Sequence, residues 1–411
     1  MDLASISLLV GGEGWGLLQS LPPYDAAGEL RLQARLRDAG FDPALVSAAL
    51  TQSRLRAKGA GKFGDFAAEM LFTPDGLEQA TRLEVAAHHA ARYLEAGVAT
   101  VFDLGCGIGA DAMAFAGLDL AVRAVELDDV TAVVAGVNLR HWPDASVTPG
   151  RLEDVLLPVG DAAEHTGVWL DPARRTPGHA DATGRTRRVF SLDRMQPTWQ
   201  EVQALATRVR ATGVKLSPAM PHSAVPPGTE AQWTSWAGEV VECAVWWGPL
   251  ARVRGRTALV LRPGRPPVQL GEADAVGAPA PLTDPAGLGP WLYEPDRAVT
   301  RAGLTGALAH RVDGRELDGD VGFVTGSAAV DVPWAQRYAV LDALPWNVKA
   351  VRARLRDHGV ERLTAKTRGV PLDADGVRRQ LRLPEGGRGT EGTLVVTRLT
   401  GTPYAVLVRP A

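Results

Sequence analysis

Asp103 stands two residues ahead of Gly105, and Gly107 and Gly109 follow at alternate positions in the run Val101-Phe-Asp-Leu-Gly-Cys-Gly-Ile-Gly109. An apolar strand that ends in a glycine turn and opens a helix, here Ala110 to Ala116, makes a nucleotide-type binding corner. Glycines let the backbone approach a ligand where a Cβ would collide. The third glycine comes one residue earlier than in the G-x-G-x-x-G pattern of dinucleotide folds. The carboxylate of Asp103 would also repel a pyrophosphate. The corner therefore suits a cationic or amino-acid ligand, and a nicotinamide dehydrogenase is disfavoured. Glu126 closes a second apolar run, Ala121-Val-Arg-Ala-Val-Glu126, 23 residues after Asp103, or one βα unit on. An acid there can accept both ribose hydroxyls of an adenosine. A third run, Val168-Trp-Leu-Asp-Pro172, ends in Asp171 and Pro172.

These residues resemble the class I S-adenosylmethionine (SAM) methyltransferases, whose D-x-G-x-G-x-G loop holds the methionine end of SAM. The resemblance implies SAM as cofactor. It implies that Asp103 pairs with the SAM amino group or orders water beside it, that Gly105, Gly107 and Gly109 form the backbone cradle, and that Glu126 fixes the ribose. Gly150-Arg-Leu-Glu-Asp154 lies where that family caps the adenine amino group; Glu153 and Asp154 both meet this role, with Asp154 as the candidate. Asp171-Pro172 sits where amino-group methyltransferases carry an Asn/Asp-Pro-Pro-aromatic motif, which implies that Asp171 orients the acceptor and Pro172 holds the strand-end bend. Here the third and fourth positions are Ala173 and Arg174, so the stacking aromatic is missing. The 5-methyluridine enzymes have a similar motif but need a catalytic cysteine on the next strand. This chain reads Val214-Lys-Leu-Ser-Pro218 there, which leaves nitrogen or ribose oxygen as acceptor, with base nitrogen favoured.

The elements that must position these residues follow from periodicity. Residues 1–95 read as an N-terminal helical region. Leu30–Gly40 and Ala44–Lys58 are helical, and a further helix is N-capped by Thr73 with Pro74 at its first position and continues through Leu77, Ala80, Val85 and His88. In related methyltransferases such a helix covers the cofactor, so Thr73 and Gln79 are candidate SAM contacts. From 96 to 262 apolar strands alternate with helices, the pattern of a Rossmann-like α/β sheet. The runs Glu239–Trp247 and Arg256–Leu261 fit an antiparallel pair closing that sheet, with either Trp246 or Trp247 in the core. Arg262 to about 290 reads as a Gly/Ala/Pro-rich linker. Small α+β units follow, at 285–335 and 336–411.

At 411 residues the chain suggests two or three domains, and an apolar share of 45% is ample for buried cores. No run of 18 apolar residues marks a membrane helix, the N-terminus lacks a basic leader, and two cysteines argue for a reducing, cytoplasmic setting. No Cys/His spacing suggests a metal. Oligomeric state is not legible. Cys106, inside the glycine loop, reads as a packing residue. Net charge is −3, but residues 349–411 hold 13 Lys/Arg against 6 Asp/Glu, giving +7 there and −10 elsewhere. Such asymmetry is the footprint of a polyanion-binding end.

Phe72–Ala80, the loop at Asp103, Leu170–Arg175, Tyr293-Glu-Pro-Asp296 and Lys366-Thr-Arg-Gly369 together resemble a group of bacterial class I methyltransferases with a small ferredoxin-like unit and a C-terminal THUMP-like domain. The resemblance covers nearly the whole chain and implies an RNA substrate, with Arg174, Arg175, Arg362, Lys366 and Arg368 as candidate contacts. A small-molecule or protein methyltransferase, and an RNA-binding protein with a vestigial SAM fold, are the alternatives.

Overall fold

The computed structural model describes residues 1–172, 192, 195–382 and 390–411, so Ala173, Arg174 and Arg175 lie outside the described residues. The chain divides into two units. One comprises Met1–Leu216 with Ala244–Arg252, and the other Ser217–Cys243 with Val253–Ala411.

The first unit opens with helices α1 (Leu3–Val10), α2 (Gly12–Ser20), α3 (Glu29–Asp38), α4 (Pro43–Phe63), α5 (Pro74–Gln79) and α6 (Leu83–Glu95). The single helix expected after Thr73 is therefore two. Ala80 leaves helical geometry at φ −54°, ψ 138°, and the chain re-enters a helix after Arg82. Then β1 (Thr100–Leu104), α7 (Ala110–Ala116), β2 (Ala121–Glu126), α8 (Asp129–Asn138), β3 (Ala145–Pro149), α9 (Asp161–Glu164), β4 (Thr166–Leu170), α10 (Trp199–Arg208) and β5 (Ala211–Leu216) alternate. The strands lie in the order β3-β2-β1-β4-β5, all parallel.

The register brings the chemistry together. Leu104 lies abreast of Val125 on one side and Leu170 on the other, and Leu170 abreast of Val214. The next residues are Gly105, Glu126, Asp171 and Lys215, so all four emerge side by side at the carboxyl ends of the strands. The chain reverses its direction of strand addition between β1 and β4, and ligands of open α/β sheets bind at that switch point. Every residue of α7 is buried, which fits its alanine-rich sequence and fixes the helix that the glycine loop opens. Trp246 is fully buried and stacks on Trp169 at 5.2 Å, while Trp247 is half-buried.

The second unit contains β6 (Glu230–Trp236), the first part of β7 (Glu239–Trp246), β8 (Gly255–Leu261) and β9 (Val268–Gly271), in the order β7-β6-β8-β9. The two runs expected to pair are thus separated by β6, which runs parallel to β8. Glu230, Gln232 and Thr234 make β6 look polar, yet all three are buried. Part of the expected linker is β9, antiparallel to β8. Then come β10 (Trp291–Pro295), α11 (Arg297–Arg301), α12 (Thr305–Arg311), β11 (Arg315–Glu316), β12 (Val324–Gly326), β13 (Ala335–Pro345), α13 (Val348–Asp357), β14 (Val360–Arg368), α14 (Ala374–Leu381), β15 (Thr390–Leu399) and β16 (Thr402–Pro410). Strands β10–β16 form one sheet, in the order β11-β12-β10-β13-β16-β15-β14, so the segments expected as two small units share their hydrogen-bonded ladder. Val351, Leu355, Val377 and Leu381 of α13 and α14 pack on Leu394, Val396 and Leu407.

Candidate cofactor and acceptor site

The glycine loop needs its glycines. Gly105, Gly107 and Gly109 all have positive φ, at 85°, 56° and 85°. A Cβ on Gly105 would also stand 3.1 Å from the carbonyl oxygen of Asp171, while one on Gly107 would meet open space. The loop is therefore tight against β4 and open on the side where a ligand would lie. Cys106 is buried, and burial pushes its thiol well above the usual range, as suits a packing residue.

Asp103 is 1% exposed, and among the described residues neither carboxylate oxygen has a hydrogen-bond partner. Burial, with the nearby carboxylates Asp111, Asp171 and Glu126, pushes its carboxyl well above the usual range; Lys215 opposes them. Glu126 is half-buried and spans the loop: Oε2 accepts from the Gly107 amide at 2.9 Å and Oε1 from the Asp128 amide at 3.0 Å. Glu153 lines a cavity of about 250 Å³ with Leu104, Leu152, Val155 and Leu170. Asp154, at the end of the same short turn, is exposed and outside that lining.

Thr73 N-caps α5, its Oγ1 accepting from the Gly76 amide at 3.0 Å. Gly76 packs so closely on Ile108 of the glycine loop that a Cβ there would strike it. This places α5 against the loop, with Thr73 half-buried and Gln79 exposed. Lys62 closes the other end of α5, donating to the carbonyls of Leu77, Glu78 and Ala80 at 2.8, 2.8 and 2.7 Å. Burial, chiefly, lowers its pKa to about 8.

Asp171 follows β4 with its side chain 28% exposed, and Pro172 behind it is buried. The carboxylate forms an ion pair with Lys215, whose Nζ also donates to Thr81 Oγ1 at 2.9 Å. Thr81 donates in turn to Asp111 Oδ2 at 2.7 Å, and His89 Nδ1–H donates to Asp111 Oδ1 at 2.7 Å. Burial would raise the Asp111 carboxyl, but the hydrogen bond and charge of His89, the Lys215 charge and the Thr81 hydroxyl outweigh it and hold it low. The His89 ring lies 4.5 Å from Trp169. None of Lys215, Thr81, Asp111 and His89 was singled out from the sequence; the available signals were a lysine inside an apolar strand and an aspartate inside an alanine helix.

The basic end is more internally paired than its composition suggests. Lys366 and Arg368 both reach Glu294, Arg368 at 3.4 Å, and Glu294 also accepts from the Tyr338 hydroxyl at 3.0 Å. Arg362 is exposed and 3.8 Å from Glu391. Lys349, Arg356 and Arg379, on α13 and α14, are exposed.

Among the described residues the corner thus gathers four carboxylates against the buried ammonium of Lys215. It leaves Asp103 buried without a partner and keeps open space over Gly107. SAM, with its sulfonium and α-ammonium charges, fits this donor set; Asp103 and Glu126 are the candidate groups to hold it, since the amides of Gly105, Cys106, Gly107 and Gly109 already donate within the protein.

Comparison with known proteins agrees. Residues 335–410 match the family model "THUMP domain-like", and residues 2–59 match a "Domain of unknown function (DUF8688)". The chain is similar to a candidate methyltransferase from Porphyromonas gingivalis W83 of known crystal structure, with a TM-score of 0.70 and 19% identity over 95% of this chain and 100% of that one, which supports the fold. It is 31% identical over 363 residues to the uncharacterised S-adenosylmethionine-dependent methyltransferase Rv3037c of Mycobacterium tuberculosis (strain ATCC 25618 / H37Rv), covering 84% of this chain and 90% of the relative. The protein MT3122 of strain CDC 1551 / Oshkosh matches equally. With that coverage and that identity, the chain belongs to this family of S-adenosylmethionine-dependent methyltransferases.

Proposed function

We propose that this methyltransferase acts on RNA and methylates a base nitrogen. The observation that carries the reading is the THUMP-like segment, residues 335–410, which overlaps the stretch of +7 charge. The groups to bear the phosphates are Lys349 and Arg356 of α13 and Arg379 of α14, all exposed, with Arg379 4.0 Å from Asp373, since Lys366 and Arg368 already serve Glu294. Arg174 and Arg175 remain candidates outside the described residues.

Bound SAM supplies a methyl group activated on a sulfonium. Asp103 holds the amino-acid end, Glu126 the ribose, and Thr73 lies on the covering helix. Gln79 and Asp154 complete the proposed contacts from the rim, with Glu153 beside Asp154 closer to the cavity. Asp171 accepts a hydrogen bond from the acceptor amine, turns its lone pair toward the methyl and takes up the proton released; Pro172 holds the bend that aims it. The reading is tested by transfer of tritiated methyl from SAM to total RNA of a strain lacking the gene, with and without ribonuclease. Ribonuclease-sensitive label supports it, and nucleoside digestion names the atom. Absence of label in RNA, with SAM binding intact, moves the acceptor to a protein or small molecule.

A further inference from the structure

Lys215 is the buried cation of the cofactor corner. It is 6% exposed and tied to Asp171 and Thr81. Its field reaches Asp103, where it opposes those of Asp111, Asp171 and Glu126. Holding an ammonium at such depth is costly even when it is paired. Asp171 does not require it for burial, because its own side chain is 28% exposed and within reach of water. A charge at the strand ends, abreast of the acceptor carboxylate, is placed to act on a charged ligand.

We propose that the Asp171–Lys215 pair sets the discrimination between SAM and its product S-adenosylhomocysteine. This rests on the reading of the β1–β4–β5 strand ends as the cofactor site. The two ligands share the adenosine and the amino-acid end, so Asp103 and Glu126 hold both alike. They differ by one methyl and one positive charge, on sulfur. Lys215 disfavours the sulfonium relative to the neutral thioether, and Asp171 favours it. With both present the fields offset, and the carboxylates of the corner do not over-stabilise the reactant. Tighter binding of the reactant alone would not speed the chemical step.

Calorimetric dissociation constants for SAM and S-adenosylhomocysteine on the full chain test this. The readout is the ratio of the two. Lys215→Met is expected to shift the ratio about tenfold in favour of SAM, and Asp171→Asn by a similar factor in favour of the product. Lys215→Arg keeps the charge and is expected to stay within about twofold of the parent. A merely structural pair would weaken both ligands in parallel, so an unchanged ratio in the Met and Asn variants overturns the proposal. If Lys215→Met does not fold, Asp171→Asn decides alone. Asp103→Asn separates the two levels. Parallel weakening of both ligands supports the cofactor site whatever the ratio does, while parent-like binding of both sinks the site and the proposal with it.

Discussion

Two carboxylates, one in each unit, the buried Asp103 and the half-buried Glu294, are treated in opposite ways. Asp103 lies at the end of β1 with both oxygens unpartnered. Glu294, on β10, is met by Lys366, Arg368 and the Tyr338 hydroxyl. A buried charge without partners costs free energy, so a fold keeps one where a ligand completes it; a carboxylate surrounded by its own donors holds the fold together. The difference separates functional from structural charge better than composition does. Both regions are rich in charged residues; Asp103 leaves its carboxyl for something else to meet, and Glu294 does not.

The comparison can be broken from several directions. The largest expected effect is on turnover. Asp171→Ala removes the acceptor's partner and is expected to lower methyl transfer about a thousandfold, within the range of about 10²–10⁴ for acid–base groups, while SAM affinity falls by about tenfold at most. Full turnover would remove Asp171 from the mechanism. Next, Asp103→Ala is expected to weaken SAM about a hundredfold, from loss of a charge-assisted hydrogen bond in a dry site, with circular dichroism unchanged.

The same residue makes a pH prediction for the ligand-free protein. A carboxyl whose folded pKa is raised favours the fold while both states are protonated, and that contribution is lost as pH climbs from the unfolded value, near 3.9, through the folded one. Asp103→Asn is expected to flatten this fall in urea titrations across the series. An unchanged slope would mean that Asp103 finds a partner.

On the other side of the comparison, Glu294→Ala is expected to cost about 1–3 kcal/mol of stability, discounted for the partial exposure of Lys366 and Arg368. It should not weaken RNA binding. Loss of RNA affinity without loss of stability would transfer Glu294 and its cations to the functional class. The smallest effect belongs to the surface. Arg356→Ala or Arg379→Ala is expected to reduce the salt dependence of RNA binding by about one unit of slope each, and Lys366→Met to leave it unchanged.

Part of this organisation was legible in the sequence, for physical reasons. The glycine corner, the acid after β2 and Asp171-Pro172 each couple a residue type to a backbone event: positive φ at a loop, or a strand end. Register then brings them together almost automatically. The break between α5 and α6 was not legible, because Ala80, Thr81 and Arg82 include no helix breaker. Lys62, distant in sequence, takes the last carbonyls of α5, and Thr81 spends its hydroxyl on Asp111. The line Lys215–Thr81–Asp111–His89 links β5, the turn between α5 and α6, α7 and α6, and no local pattern announces it. β6 was not legible because it is buried on both faces from Glu230 to Ser235, so its polar residues do not mark a solvent side. The basic end was legible only as a sum: counting charges cannot tell an arginine offered to solvent from one already facing a glutamate.

Lys62 has one more consequence. An amine with a pKa near 8 is partly unprotonated, and so nucleophilic, at a pH where ordinary lysines are almost fully charged. It should stand out in acylation footprinting of this chain. Once acylated it can donate no more than one hydrogen bond, whereas it now serves three carbonyls at the end of α5, those of Leu77, Glu78 and Ala80. The label would therefore record release of Lys62 from these carbonyls. The clasp is a built-in reporter: its opening would read out as a mass increment on a single side chain.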